Sequence, residues 1–386
     1  MFKVLVDATP VTPKPSGVGY YVANLLYALH TLQSTEDFCL NVLYQPGFKK
    51  WLLGNFSLPM DLINCPNPFL LPLPVRLYKL LITTSFKPGL NYFERYLGSP
   101  DIVHGTNYSV YPCSKSLTVI SIYDLSFIKY PQYIDKVVKT YHKQVRQNLQ
   151  WTDLVLTISE SSKKDIVECL EVPAERVCVT PLASRYHPEY LSDVAASDLE
   201  KVGNYDFSVP YLLFVSTLEP RKNITTLIAA FNYLKQKYQI NHNLVLIGQK
   251  GWKYEPIFQA IASSPYQDCI YHLNYLSDEL VALFYSKADV FVYPSHYEGF
   301  GLPVLEAMTL GAPVVTSNTS SLPEVAGDAA MLVDPNDVIS LAEAILQIIS
   351  DRGLRTELIA KGKARASLYS WERTAKETLQ AYRSLL

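Results

Sequence analysis

Two glutamates flank a glycine-bearing turn in the last third of the chain. Glu298 precedes the run Gly-Phe-Gly-Leu-Pro-Val-Leu, and Glu306 follows it. The glycines allow a ligand to approach the backbone closely. The helix predicted to begin near Pro303 favours an anion at its start. Carboxylates accept hydrogen bonds from hydroxyl groups, so the segment suits a diphosphate with a hydroxyl-rich group on each side, as in a nucleotide sugar. Two solvated surface carboxylates fit the spacing equally well.

A basic pair follows an earlier predicted strand. Arg221 and Lys222 precede a predicted helix, and Asn223 stands at its N-cap position. A departing nucleoside diphosphate gains negative charge, and a cation roughly 4 Å away contributes about 4 kcal/mol at an effective dielectric near 20. Because no Asp-x-Asp motif is present, the pair is expected to replace a divalent metal. Taken alone, it is more simply a solvated basic turn.

Weaker candidates follow predicted strands in the first half of the chain. Gly17 and Gly19 form a Gly-x-Gly loop that lacks the full dinucleotide fingerprint. His104 ends a predicted strand, where a histidine can hydrogen-bond a sugar hydroxyl, although a lone histidine is more often structural. Asp124 follows the next strand and is a candidate for the acceptor side.

The elements that position these residues alternate between strands and helices. A strand over residues 2–8, a loop and a helix over residues 20–32 begin a βαβ series. The pattern breaks over residues 184–208 and restarts with a strand at residues 211–216. Such alternation predicts mostly parallel sheets covered on both faces. Ligands bind beyond the carboxyl ends of such strands, so two facing sheets would create a cleft that receives all the candidate residues.

Bulk composition narrows the class of protein. The 386 residues predict two domains, and a net charge of −2 excludes the basic field typical of nucleic-acid binders. Six scattered cysteines without a Cys-x-x-Cys pattern predict neither a zinc site nor a disulfide framework. Neither a signal peptide nor an apolar run of about 18 residues is apparent, so the expected location is the cytoplasm.

One region combines basic and apolar residues. Six lysines and arginines stand against two acidic residues between positions 41 and 100, among leucine, proline and aromatic side chains. This composition favours peripheral contact of residues 48–100 with the inner membrane surface. The alternative is a set of poorly patterned core elements in the N-terminal sheet.

Taken in order, these motifs resemble the retaining glycosyltransferases of family 4, which have the GT-B fold. The resemblance covers nearly the whole chain and is carried most specifically by the Glu-x7-Glu signature from Glu298 to Glu306. It implies an α/β architecture of two Rossmann-like domains facing across a cleft. The domains would span residues 1–190 with 371–386 and residues 205–370, since the last helix crosses back to the N-terminal domain.

The resemblance also implies roles for individual residues. Arg221 and Lys222 would hold the diphosphate, Glu298 would contact the donor sugar, and Glu306 would take the ribose diol. His104 would lie close to the transferred sugar. The remaining implied donor contacts are Phe300, Gly301 and Leu302 near the sugar, Asn274 and Tyr275 against the nucleobase, and Gly17 and Gly19 in the N-terminal loop.

Two motifs differ from the family pattern. Ser216 and Thr217 stand where the family usually has glycine and often arginine. Tyr123 replaces the histidine often seen before the acceptor-side aspartate, here Asp124. A tyrosine needs a large pKa shift to act as a base near neutral pH.

The expected activity is transfer of a hexose from a nucleotide sugar to a hydroxyl group of a glycan or lipid-linked acceptor in polysaccharide biosynthesis. A UDP-sugar such as UDP-glucose is favoured, with retention of anomeric configuration and without a metal cofactor. The alternatives are a GDP-mannose-dependent mannosyltransferase, a sugar-nucleotide 2-epimerase, and a non-catalytic sugar-nucleotide sensor of the same fold.

Overall fold

A computed structural model describes residues 1–12, 17–48, 52–54, 59, 62, 67–71, 94, 97–133, 141–193 and 205–386. The chain divides into two compact units. Unit 1 comprises Met1–Ile128, Lys136–Leu182 and Trp371–Leu386, and unit 2 comprises Lys129–Asp135 and Ala183–Ser370. Most of the expected membrane-contact region, residues 48–100, lies outside the described residues, so that contact stays a prediction.

The described elements alternate along the chain. The strands are β1 (Phe2–Asp7), β2 (Phe38–Tyr44), β3 (Pro68–Leu70), β4 (Ile102–Gly105), β5 (Leu117–Ser121), β6 (Leu154–Thr157), β7 (Val177–Val179), β8 (Tyr211–Val215), β9 (Asn243–Ile247), β10 (Ile270–Leu273), β11 (Val290–Tyr293), β12 (Val314–Ser317) and β13 (Ala330–Val333). The helices are α1 (Gly17–Leu32), α2 (Ser126–Lys129), α3 (Tyr141–Leu149), α4 (Glu160–Leu170), α5 (Ile224–Tyr238), α6 (Glu255–Ala262), α7 (Asp278–Lys287), α8 (Leu302–Thr309), α9 (Leu322–Ala326), α10 (Val338–Ser350), α11 (Arg352–Ala366) and α12 (Trp371–Arg383).

Each unit contains one parallel sheet. The described strands of unit 1 pair in the order β3-β2-β1-β4-β5-β6-β7, and those of unit 2 in the order β10-β9-β8-β11-β12-β13. In unit 2 the central strands β8 and β11 are apolar and buried at every residue. This is expected for parallel strands that are covered on both faces.

Both sheets reverse their strand order at one point. The reversal lies between β1 and β4 in unit 1 and between β8 and β11 in unit 2. Loops that leave the carboxyl ends of two such strands diverge to opposite faces of the sheet, which opens a crevice for a ligand. In unit 2 the loops concerned follow Val215 and Tyr293, and they carry the basic pair and Glu298.

A short segment from the first half of the chain packs with unit 2. The ring of Tyr133 stacks on that of His296, with centroids 5.7 Å apart, and Tyr130 packs at 5.3 Å from Tyr297. These ring contacts explain why Lys129–Asp135 belongs to unit 2, whereas the sequence pattern places it in the first domain.

The last helix, α12, packs against α1 in unit 1, as the resemblance implied. Its buried side chains recur along one face, so the helix is amphipathic. Thr374 Oγ1 donates to the carbonyl oxygen of Pro181 at 2.6 Å, and Arg383 pairs with Glu36 at 2.8 Å. The C-terminal residues are therefore part of the N-terminal core.

His104 lies within that core. It is fully buried, with Nδ1 at 2.7 Å from the Tyr382 hydroxyl and Nε2 at 2.8 Å from Ser121 Oγ. Burial lowers the pKa of His104 to about 3, so the imidazole is neutral. Both ring nitrogens are engaged inside unit 1, and the contact of His104 with the transferred sugar stays a prediction.

Replacing Tyr382 with phenylalanine keeps the ring but removes the hydroxyl that pairs with His104. We expect the free energy of unfolding to fall by about 1–3 kcal/mol, the cost of a buried polar atom left without a partner. Urea denaturation followed by circular dichroism measures this loss. Tyr27→Phe, at an exposed position of α1, is the matched control and should change stability by less than about 0.5 kcal/mol. Equal unfolding midpoints for the two variants would contradict the assignment.

Candidate functional site

The loop after β8 brings the basic pair back toward the sheet. Pro220–Lys222 forms a single 3₁₀ turn, and Asn223 adopts a left-handed conformation with φ 58° before α5 begins. The Asn223 side chain does not cap α5. Its amide donates instead to the carbonyl oxygens of Pro294 at 3.0 Å and Pro335 at 2.6 Å. Asn223 therefore ties the loop after β8 to the loop after β11.

Lys222 and Glu298 form a buried ion pair at this junction. Lys222 Nζ donates to Glu298 Oε1 at 2.6 Å and to the Tyr293 hydroxyl at 2.8 Å. Ser295 Oγ donates to the same carboxylate oxygen at 2.5 Å. Glu298 is 8% exposed and Lys222 is 6% exposed. Neither is therefore a solvated surface residue, which was the alternative interpretation of the sequence.

Arg221 extends the pair into a network of four charges. Its Nη1 donates to Glu298 Oε2 at 3.1 Å and to the carbonyl oxygen of Tyr297 at 2.6 Å, while Nη2 donates to Glu219 Oε1 at 2.7 Å. Two cations balance two carboxylates, which meets the requirement that buried charges be paired. We refer to Glu219, Arg221, Lys222 and Glu298 as the charge network.

The charge network sets the ionisation of its members. Burial alone would raise the pKa of Glu298, but the Lys222 and Arg221 charges outweigh it and lower that pKa to about 2. Burial and the neighbouring Arg221 charge lower the pKa of Lys222, and Glu298 opposes this shift. Burial raises the pKa of Glu219, against the effect of Arg221. Glu298 is thus an anion at any physiological pH.

The turn after Glu298 requires glycine and is fixed by serine side chains. Gly301 has φ 117°, and a Cβ there would lie 2.9 Å from Leu322 Cδ2. Ser321 Oγ donates to the carbonyl oxygens of Glu298 at 2.9 Å and Phe300 at 2.7 Å. Helix α8 then begins at Leu302, one residue before the predicted start, and its positive dipole end lies beside the charge network.

Glu306 lies on the same helix and is also buried and paired. Arg185 Nε donates to Glu306 Oε1 at 2.7 Å, Arg185 Nη2 donates to Oε2 at 3.1 Å, and the Tyr285 hydroxyl donates to Oε2 at 3.3 Å. Arg185 Nη1 also binds Asp278 at 2.9 Å. Arg185 is absent from the residues that the sequence predicts, because it lies in the irregular segment without periodicity.

The expected nucleobase residues lie in an exposed loop. Asn274 and Tyr275 follow β10, and Tyr275 is 63% exposed. The loop leads through Ser277, whose hydroxyl caps α7, to Asp278, the partner of Arg185. The structure therefore brings Glu298, Glu306 and the loop after β10 to the carboxyl edge of one sheet.

The remaining candidates belong to unit 1. Tyr123 is buried, its hydroxyl donates to the carbonyl oxygen of Thr106, and burial raises its pKa well above the usual value. The Tyr123 hydroxyl is thus engaged within unit 1, and an acceptor-side role of this residue stays a prediction. Asp124 is half-buried and accepts from the backbone N–H of Ser126 at 2.8 Å.

The N-terminal loop is only partly described. Gly17 is the first residue of α1, and a Cβ there would meet no atom within 4 Å in the described structure. Gly19 is buried in the first turn. Residues 13–16 lie outside the described residues, so the approach of this loop to a donor or acceptor stays a prediction.

The described residues contain neither a cluster of metal ligands nor a membrane-spanning helix. Within the ranges given above, three or more His, Cys, Asp or Glu side chains nowhere come together as a group able to hold a metal ion. Over the same ranges, no helix combines the length and apolar character needed to cross a bilayer.

Comparison with known proteins gives concordant matches. A family model described as "Glycosyl transferases group 1" matches residues 200–365, which include the charge network and Glu306. The O-antigen chain mannosyltransferase B of Escherichia coli is 36% identical over 316 residues, covering 81% of each chain. The O-antigen chain mannosyltransferase RfbU of Salmonella typhimurium is 28% identical over 347 residues, covering 89% of this chain and 90% of the relative.

A solved structure matches the whole chain. Sucrose-phosphate synthase from Thermosynechococcus elongatus aligns with 100% of this chain and 99% of its own at a TM-score of 0.72. At 21% identity this likeness shows the fold alone. The fold is GT-B, with two Rossmann-like parallel-sheet domains, as the sequence predicted. From the extent and identity of these matches, the chain belongs to the group 1 glycosyl transferases.

Proposed function

We propose that this glycosyltransferase moves mannose from GDP-mannose to a hydroxyl group of a glycan or lipid-linked acceptor in polysaccharide biosynthesis, with retention of configuration and without a metal. The observation that carries the donor site is the buried charge network at the strand-order reversal of unit 2, next to the start of α8. The choice of mannose is supported by relatives named as mannosyltransferases. They do not support the UDP-glucose donor that the sequence favoured.

Lys222 is suited to bind a phosphate oxygen without leaving Glu298. An ammonium group has three N–H donors, and among the described residues Lys222 directs two of them, to Glu298 and to the Tyr293 hydroxyl. The third is available to the diphosphate. The positive end of α8 adds a second favourable interaction with the same anion.

Glu298 is suited to accept one hydroxyl of the donor sugar. A carboxylate offers about four acceptor positions. Lys222 and Ser295 occupy Oε1, and Arg221 occupies one position on Oε2. The position left on Oε2 can take a sugar hydroxyl, while Glu306, in the middle of α8, takes a hydroxyl of the ribose.

The proposed reaction is a front-face displacement. The bond between the anomeric carbon and the phosphate oxygen breaks, and the acceptor oxygen attacks from the same side. The acceptor proton passes to the departing phosphate oxygen, so the configuration is retained. Lys222, Arg221 and the start of α8 stabilise the charge that develops on the GDP, which is the role of preorganised electrostatics.

Lys222→Ala should reduce kcat/KM for GDP-mannose at least a hundredfold, because it removes the cation nearest the leaving group. Initial rates of GDP release, with circular dichroism to confirm the fold, measure the effect. Lys237→Ala, an exposed lysine on α5, is the matched control and should retain full activity. Near-normal turnover in folded Lys222→Ala protein would exclude Lys222 from the diphosphate site.

The donor should be recognised by its base and sugar. We expect GDP-mannose to raise the melting temperature of the protein, since a ligand at 100 times its Kd adds about 2.7 kcal/mol of stability, and to be hydrolysed slowly without acceptor. UDP-glucose should do neither. If UDP-glucose raises the melting temperature and GDP-mannose does not, the donor is the UDP-sugar that the sequence predicted. Conversion of the sugar to its 2-epimer would identify an epimerase, and binding without any turnover would identify a sensor.

Activity should not depend on a divalent ion. Incubation with EDTA followed by a turnover assay is expected to leave the rate with GDP-mannose unchanged, because Lys222 and Arg221 supply the positive charge. Loss of activity in EDTA that manganese restores would show that a metal takes part.

A further inference from the structure

Arg185 forms an ion pair with the buried carboxylate of Glu306 and is itself partly exposed. Its guanidinium group donates to both oxygens of Glu306, at 2.7 and 3.1 Å, and to Asp278 at 2.9 Å. The Glu306 side chain is 4% exposed, whereas that of Arg185 is 27% exposed. Arg185 is thus the accessible member of the pair, and it bridges α8 to the start of α7.

Among the described residues, Arg185 is held in place by Glu306, Asp278 and Tyr186. Glu306 takes two of its donors and Asp278 takes a third, while the guanidinium carbon lies 5.1 Å from the centre of the Tyr186 ring. A planar fork matches a carboxylate in two parallel hydrogen bonds, which fixes the plane of the carboxylate as well as its charge. Breaking such a buried pair is strongly unfavourable, so a ligand at Glu306 meets the pair intact.

The hydrogen bonds of Glu306 leave little room for a ligand. Of about four acceptor positions on the carboxylate, Arg185 occupies one on each oxygen and Tyr285 occupies the second on Oε2. In the described part of the chain, one position on Oε1 is left. The carboxylate can therefore accept one ribose hydroxyl in a charge-assisted hydrogen bond, and it cannot accept two.

We propose that Arg185 is a positioning residue for the ribose end of the donor site, holding the Glu306 carboxylate in the plane in which it accepts a hydrogen bond from a single ribose hydroxyl. The inference rests on the proposed function, in which Glu306 contacts the ribose. Without Arg185, the carboxylates of Glu306 and Asp278 lose the cation they share. The Glu306 carboxylate would then be free to turn, and its hydrogen bond to the ribose would weaken.

The test compares the affinity of GDP with those of 2′-deoxy-GDP and 3′-deoxy-GDP by titration calorimetry. For the wild-type protein we expect one of the two deoxynucleotides to bind at least tenfold more weakly than GDP, and the other within about threefold. In Arg185→Met the larger ratio should fall to about threefold or less. Arg185→Lys, which restores the charge without the fork, should give an intermediate ratio.

Two further variants separate the possible failures. Arg355→Met removes an Arg–Asp289 pair of 2.6 Å elsewhere in unit 2, and it should keep the wild-type ratio, so a general loss of stability does not imitate the effect. Glu306→Gln should abolish the preference for GDP over the weaker-binding deoxynucleotide.

A preference for GDP that survives in Arg185→Met but disappears in Glu306→Gln overturns the role of Arg185 alone. No preference in the wild type, or one that survives in Glu306→Gln, overturns the ribose assignment and the role of Arg185 with it. If 2′-deoxy-GDP and 3′-deoxy-GDP lose affinity equally relative to GDP, the hypothesis that Glu306 accepts from a single ribose hydroxyl is overturned.

Discussion

The buried ion pair between Lys222 and Glu298 is the interaction on which the rest of unit 2 depends. Burying either charge alone is costly, so each residue can be inside the protein only because the other is there. The pair joins the loops after β8 and β11, the two strands where the sheet reverses its order. A backbone hydrogen bond of 3.0 Å from His296 to Arg221 and the Asn223 amide bonds hold the same two loops. Paired charges therefore fix the shape of the crevice before a ligand enters.

The two glutamates of the signature are alike in their surroundings. Each is buried, each is bound by an arginine from outside the Glu298–Glu306 segment, and each retains about one acceptor position among the described residues. An ionised carboxylate with one open position is a selective acceptor for a hydroxyl group and a poor site for a phosphate. In the proposed function, the phosphates bind at Lys222 and at the start of α8, which lies between the two glutamates in the sequence. We therefore propose a single orientation of the nucleotide sugar along this segment.

Much of the fold follows from patterns within short windows of sequence. Buried parallel strands such as β8 and β11 are continuous apolar runs, and α8 has proline in its first turn and glycine after its last. The strand β10 and helix α6 are missed because Ile270–Leu273 and Glu255–Ala262 are short and mostly half-exposed. The site is predicted in part: the signature locates Glu298 and Glu306, but their partners are 76 and 121 residues away. The burial of His104 and Tyr123 is not predicted, because neither residue type nor spacing reveals burial at a strand end.

A crystal structure of the protein with bound GDP-mannose would show which residues contact each part of the donor. We expect the diphosphate at Lys222 and the start of α8, a mannose hydroxyl on Glu298, and one ribose hydroxyl on Glu306 with Arg185 still in place. A nucleotide bound in the opposite direction along α8, or one whose phosphates make no contact with Lys222, would contradict this expectation.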